Sequence, residues 1–287
     1  MTFARDLLFI GVLISTNYIK PRLGYINTPT KNEWDFIKTK INDFDEKNGN
    51  GAYPLGANHE QSAILIGDSH LVHYAERMNK VLKGGATLYA GGGCIPIVNV
   101  RTDNPLRAGC EEQLSKALIA ANNPNVEKVV IGGAWFVYFI NKDDYFFMKE
   151  DGRKIPLKSE EGQLLALNSL ANTINRYVMS GKKVYLILGN PTDGKLNPFN
   201  AHTRINSLTA NQYVTISKLQ IDINHRISKV AQKAGATIVN PMDYVCKEDK
   251  CLFTDKDGTP IYKDEGHFNP DWARNNASFI DQIFMDK

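Results

Sequence analysis

Three residues have the types and spacing needed for nucleophilic acyl chemistry. Ser69 stands in Ile66-Gly-Asp-Ser-His70, and Asp264 and His267 stand in Tyr262-Lys-Asp-Glu-Gly-His-Phe-Asn-Pro270. A serine hydroxyl is a weak nucleophile until an imidazole takes its proton, and the imidazole must be held in the right tautomer by a carboxylate. Asp264 and His267, three apart, can meet from one short turn. Each motif alone has a plainer reading. A serine after Asp can simply begin a capped helix, and Asp-x-x-His can be a surface turn before the helix that opens near Pro270. Together, at the two ends of one α/β pattern, they predict Ser69 as nucleophile, His267 as base and Asp264 as the orienting acid.

The elements that must position these residues can be read from apolar runs. Ala63-Ile-Leu-Ile-Gly67 is a buried strand, followed over His70–Leu82 by Leu71, Tyr74, Met78 and Val81 at helical spacing. Further strands are expected at Thr87–Ala90, Val129–Gly132, Val184–Leu188 and Thr237–Val239. Helices are expected over Glu111–Asn122, residues 160–180, a stretch ending near Ala234, and Pro270–Asp286. Short apolar runs alternating with helices of ten residues or more indicate a parallel sheet covered on both faces. Ligands of such sheets gather at the carboxyl ends of the strands, which is where Gly67-Asp-Ser69 falls. A serine opening a helix there offers its N–H and the helix dipole to an oxyanion.

The remaining composition excludes several classes. The 287 residues suffice for one α/β domain, and a net charge of +3 with no basic cluster argues against nucleic acid. No run reaches the ~18 apolar residues of a membrane span. Leu7–Ile14 reads as a buried strand or short helix, or as the stub of a membrane or export segment. Residues 15–60 read as an irregular extension with a helix around Trp34–Asp45. Cys94, Cys110, Cys246 and Cys251 lack zinc spacing, so no metal is expected. Proximity suggests the pairs Cys94–Cys110 and Cys246–Cys251, one of three connectivities, against four free thiols. Gly91-Gly-Gly93 lacks the spacing of a dinucleotide loop. Trp135, with Phe136, Tyr138 and Phe139, could stack on a sugar or fill the core. His202 and Arg204 could bind a glycan or be solvated loop residues.

The ordered set of blocks resembles the SGNH (GDSL-type) hydrolase superfamily. More narrowly, it is similar to the SGNH domain attached to acyltransferase-three membrane proteins that O-acetylate bacterial surface glycans. The residues that carry the resemblance are Gly67-Asp-Ser-His70, Cys94-Ile-Pro96, Gly132-Gly-Ala-Trp135, Cys246 with Cys251, Asp257-Gly-Thr-Pro-Ile-Tyr262 and Asp264-Glu-Gly-His267. It implies a three-layer α/β/α sandwich with a flavodoxin-like parallel sheet, an extracytoplasmic setting and disulfide-bonded cysteines. The oxyanion donors would be Ser69 and one of Gly91–Gly93, with Gly92 and Gly93 the candidates. The family's Gly-x-Asn-Asp block is missing, and Asn190 is a possible substitute or a turn residue before Pro191.

The resulting expectation is a glycan O-acetyltransferase domain over residues 61–287, with residues 1–60 as an extension. It would be periplasmic or otherwise extracytoplasmic and membrane-tethered in a longer protein. It would bind no cofactor, receiving acetyl groups that a membrane acyltransferase-three partner, in the same chain or another, draws from acetyl-CoA. An esterase with the same triad and an inactive glycan-binding module are the rival readings.

Overall fold

The computed structural model describes residues 51–56, 61–198 and 211–285. Leu7–Ile14, the expected helix at Trp34–Asp45, His202 and Arg204 lie outside the described residues. The strands are β1 (Ala52–Leu55), β2 (Gln61–Asp68), β3 (Gly85–Gly91), β4 (Val100–Thr102), β5 (Lys128–Gly132) and β6 (Tyr145–Met148). Then come β7 (Lys154–Pro156), β8 (Lys183–Ile187), β9 (Tyr213–Thr215), β10 (Thr237–Val239), β11 (Cys246–Lys247) and β12 (Lys250–Leu252). The helices that matter here are α1 (Ser69–Val72), α2 (Ala75–Val81), α3 (Cys110–Ala121), α4 (Glu160–Met179), α5 (Lys218–Lys233) and α6 (Pro270–Asn276).

Six strands form the central sheet in the order β1-β3-β2-β5-β8-β10. All its pairings are parallel except β1 against β3. The chain runs from β2 to β3 on one side and returns to β5 on the other. The sheet therefore reverses direction at β2, and a cleft must open beyond the carboxyl ends of β2 and β5. Ala52–Leu55, expected to be irregular, is instead the antiparallel edge strand.

Side-chain alternation sorts the core into two layers. Ile64, Ile66, Val129, Ile131, Val184 and Leu186 face α3, α4 and α5, where Ala117, Leu170, Ile174 and Ile227 are buried. Ala63, Leu65, Val130, Tyr185 and Ile187 face the opposite layer of Leu71, Met78, Ala273 and Ile280. Each fully buried Leu or Ile contributes roughly 1.5–3 kcal/mol, and these two layers fix the strand register on which the site depends.

Three expected elements are interrupted. The helix expected over His70–Leu82 breaks into α1 and α2. His73 and Tyr74 take ψ values of −12° and −5°, flatter than a regular helix, while burying both rings. The last helix stops at Asn276, and Ala277 leaves the helical region with ψ 46°. The helix expected to end near Ala234 begins only at Lys218, capped by Ser217, and is preceded by β9.

Both expected cysteine pairs are disulfides, Cys94–Cys110 and Cys246–Cys251. The first closes a span of 16 residues that carries β4 and the turn Pro105–Arg107 back onto the end of β3. Cross-linking a loop of this length stabilises by about 3 kcal/mol. Replacing Cys94 and Cys110 together by Ser is expected to lower the unfolding free energy by about that amount in urea titrations.

Candidate active site

Ser69 is the first residue of α1, at the point where β2 ends. The approach to it is tight. A Cβ on Gly67 would lie 2.3 Å from the Gly132 carbonyl oxygen, so β2 and β5 can close here only with glycine. Asp68 caps the helix through His70 N–H at 2.7 Å. Its carboxylate, fully buried, also accepts from Ala134 N–H at 2.8 Å and from the Tyr138 hydroxyl. Burial pushes the Asp68 carboxyl up, and the three donors oppose that shift. This carboxylate thus ties the end of β2 to the loop after β5.

Opposite Ser69 lies the turn Asp264–His267. Asp264 accepts from the N–H groups of Gly266 at 3.0 Å and His267 at 2.8 Å, which folds the turn around its own carboxylate. The same carboxylate meets His267 Nδ1 at 3.0 and 2.9 Å. His267 Nε2 stands 2.8 Å from Ser69 Oγ. Burial would raise the Asp264 carboxyl, but the His267 ring and the two N–H groups outweigh it and hold the group below the usual carboxylate range. An ionised carboxylate, an imidazole and a hydroxyl are therefore connected in sequence. Such a chain can remove the hydroxyl proton as the oxygen attacks a carbonyl.

Asn190, weighed above as an oxyanion donor, has another place. It is buried, its Oδ1 is 3.0 Å from His70 Nδ1, and its Nδ2 donates to the Gly266 carbonyl. Both ends of the amide are spent on holding the His267 turn against the helix that starts at Ser69, so it does not reach substrate. Burial first, then the neighbouring His267, pushes His70 down to about 3. His70 is therefore neutral, with Nδ1–H donating to Asn190. Trp135 is also corrected: it is wholly buried in the core and its indole N–H donates to the Ile187 carbonyl at 2.9 Å.

The cleft over Ser69 and His267 holds about 370 Å³ and is lined by Gly93, Arg107, Tyr138, Lys142, Tyr145, Thr192 and Glu265. A second groove, about 840 Å³, runs from Ser69 along Gly91–Gly93 and the Cys94–Cys110 disulfide. Gly92 and Gly93 thus flank Ser69, with Gly93 at φ +74° and its carbonyl accepting from the Tyr145 hydroxyl at 2.6 Å. Asp68, Arg107, Tyr145 and Thr192 were not singled out by sequence. The Gly-Asp-Ser block could have flagged Asp68, and the Cys94–Cys110 bracket could have flagged Arg107. Among the described residues, no group of His, Cys, Asp and Glu is arranged to hold a metal ion, and no helix is long and apolar enough to cross a membrane.

The lowered Asp264 pKa carries a stability prediction. An unfolded Asp titrates near ~3.9, so the stabilisation from ionised Asp264 is fully present above about pH 4 and is lost as pH falls below it. Thermal midpoints measured between pH 6 and pH 3 should therefore drop more steeply for the parent chain than for Asp264→Asn.

The comparisons agree with this architecture. The family model for the SGNH domain (fused to AT3 domains) matches residues 39–282. The periplasmic domain of a lipopolysaccharide acetyltransferase from Salmonella ser. Paratyphi A superposes with a TM-score of 0.58 at 15% identity, covering 90% of this chain and 98% of its own. A putative acylhydrolase from Bacteroides fragilis gives a TM-score of 0.43 at 14% identity, covering 85% of this chain and 92% of its own. No curated protein matches the chain by sequence. The α/β/α sandwich is thus an SGNH hydrolase fold, and the chain belongs to the family of SGNH domains found fused to AT3 domains.

Proposed function

We propose that this domain is a serine-dependent O-acetyltransferase acting on a bacterial cell-surface glycan. The observation that carries the reading is the unbroken chain from ionised Asp264 through His267 to Ser69 Oγ, at the floor of an open cleft. In the first half-reaction Ser69 Oγ attacks the acyl carbonyl while its proton passes to His267 Nε2. The tetrahedral intermediate collapses, and the leaving group takes that proton, which gives an acyl-Ser69 ester. In the second half-reaction a sugar hydroxyl gives its proton to His267 and attacks the ester; collapse then breaks the acyl–Oγ bond, and Ser69 Oγ takes that proton back from His267. Asp264 stays ionised throughout and stabilises the imidazolium. The N–H groups of Ser69 and of Gly92 or Gly93 are the proposed oxyanion donors.

The donor side is assigned to a membrane acyltransferase-three partner that draws acetyl groups from acetyl-CoA, because SGNH domains of this family are fused to such modules. The two disulfides support an oxidising, extracytoplasmic setting. The cleft's mixture of hydroxyls, an amide and charges suits a polyhydroxylated acceptor.

Hydrolysis is the second reading, and exposure favours giving it weight. The side chains of His267 and Asp264 are 23% and 41% exposed, so water can reach an acyl-Ser69 ester. The two are separated by measuring the ratio of transfer to hydrolysis from a small acetyl ester with and without glycan. Glycan that leaves the product entirely as free acetate supports the esterase. Ser69→Ala is expected to lower either activity by on the order of 10⁶-fold and to abolish glycan acetylation in cells.

A further inference from the structure

The acyl oxygen of the proposed reaction needs donors, and most polar groups around Ser69 are already committed. Ala134 N–H and the Tyr138 hydroxyl both donate to the Asp68 carboxylate at the end of β2. The Asn190 amide is spent on His70 and Gly266, and the single Tyr145 hydroxyl proton goes to the Gly93 carbonyl. Arg107 differs. Its Nη1 donates to Asp144 at 3.2 Å, and this holds one edge of the guanidinium. The guanidinium also packs on the glycine turn: a Cβ on Gly93 would meet Arg107 Nε at 2.3 Å, Cζ at 2.7 Å and Nη2 at 3.0 Å. The guanidinium lines both the cleft and the groove that meet at Ser69. It is further fixed over the Tyr145 ring, 5.5 Å from the centroid, and by the disulfide-closed span that ends at Cys110.

We infer that Arg107 is a catalytic residue, donating from Nε or Nη2 to the acyl oxygen. The inference rests on the acyl-Ser69 reading. As the Ser69 Oγ–carbon bond forms, the carbonyl π pair moves onto oxygen and the serine proton moves to His267. Arg107 meets the new negative charge at its unspent edge without losing a proton itself. When the oxyanion collapses, the π bond is restored, the bond to the leaving oxygen breaks, and that oxygen takes the proton from His267. A fixed cation placed where charge develops acts on the transition state more than on the bound ester, so kcat should suffer rather than KM. Glycine at position 93 is then required twice, for its positive φ and to let the guanidinium approach.

The test is steady-state hydrolysis of p-nitrophenyl acetate by the full chain and by Arg107→Ala, Arg107→Lys and Ser69→Ala, with thermal midpoints recorded for each. Arg107→Ala is expected to lose about 10²-fold in kcat with KM changed less than threefold. Added guanidinium ion should restore part of that loss in Arg107→Ala and none in Arg107→Lys. A kcat for Arg107→Ala within threefold of the parent, or a loss that guanidinium does not relieve in a variant of unchanged thermal midpoint, overturns the assignment. If Arg107→Ala does not fold, the assignment stands or falls on Arg107→Lys. That variant should keep the fold and still lose at least tenfold in kcat, and parental activity overturns the role. A parent chain no faster than Ser69→Ala overturns the acyl-Ser69 reading itself, a result distinct from a failure at Arg107 alone.

Discussion

The chemistry proposed for this chain depends on one long-range hydrogen bond, between His267 Nε2 and Ser69 Oγ, made across 198 residues of sequence. Bringing those atoms to 2.8 Å is a demand on the whole fold, because loops alone do not hold such a tolerance. The parallel sheet meets it by ending β2 and β5 side by side, and glycines at 67 and 132 let the strands and Leu71 approach without a clash. A shift of one residue in the pairing of β2 would turn Ser69 to the other face of the sheet.

Two buried polar groups lock the approach from opposite sides. The Asp68 carboxylate gathers His70 N–H, Ala134 N–H and the Tyr138 hydroxyl, so the serine turn cannot move without breaking three bonds. Asn190 joins His70 to the Gly266 carbonyl, and Asp193 N–H donates to the Glu265 carbonyl at 2.8 Å, so the histidine turn is docked at two adjacent points. Behind them, His73 is buried with neither ring nitrogen bonded among the described residues, and burial pushes its pKa well down. It packs edge-on against Tyr74 and Phe268 as a neutral ring. Leaving those nitrogens unpaired costs about 1–3 kcal/mol, which the surrounding aromatic packing must offset.

The parallel strands of the central sheet were legible in the sequence because strands buried on both faces leave continuous apolar runs. Ser69, Asp264 and His267 stood out because their types are chemically paired and their blocks fall at strand ends. What the sequence concealed depends on tertiary contact. Leu71, Tyr74 and Met78 keep helical spacing across the break between α1 and α2, so periodicity alone reports one helix. Trp135 could fill the core or stack on a sugar, and only the carbonyl of Ile187 within reach of its indole decides. Asn190 sits after a strand end as expected of a ligand-binding residue, yet both ends of its amide turn to His70 and Gly266. Arg107 belongs to no catalytic motif, and the Cys94–Cys110 bracket around it was its one signal, because a disulfide-closed excursion carries it onto the Gly93 turn.

A fluorophosphonate reports directly on a serine whose proton is being drawn away by a neighbouring imidazole. Labelling the native chain and mapping the adduct by peptide mass spectrometry tests the central claim. The account predicts one adduct, on Ser69, and a labelling rate that collapses when His267 is replaced by Ala in a folded protein. An adduct on another serine, or labelling of Ser69 at an unchanged rate without His267, would contradict it.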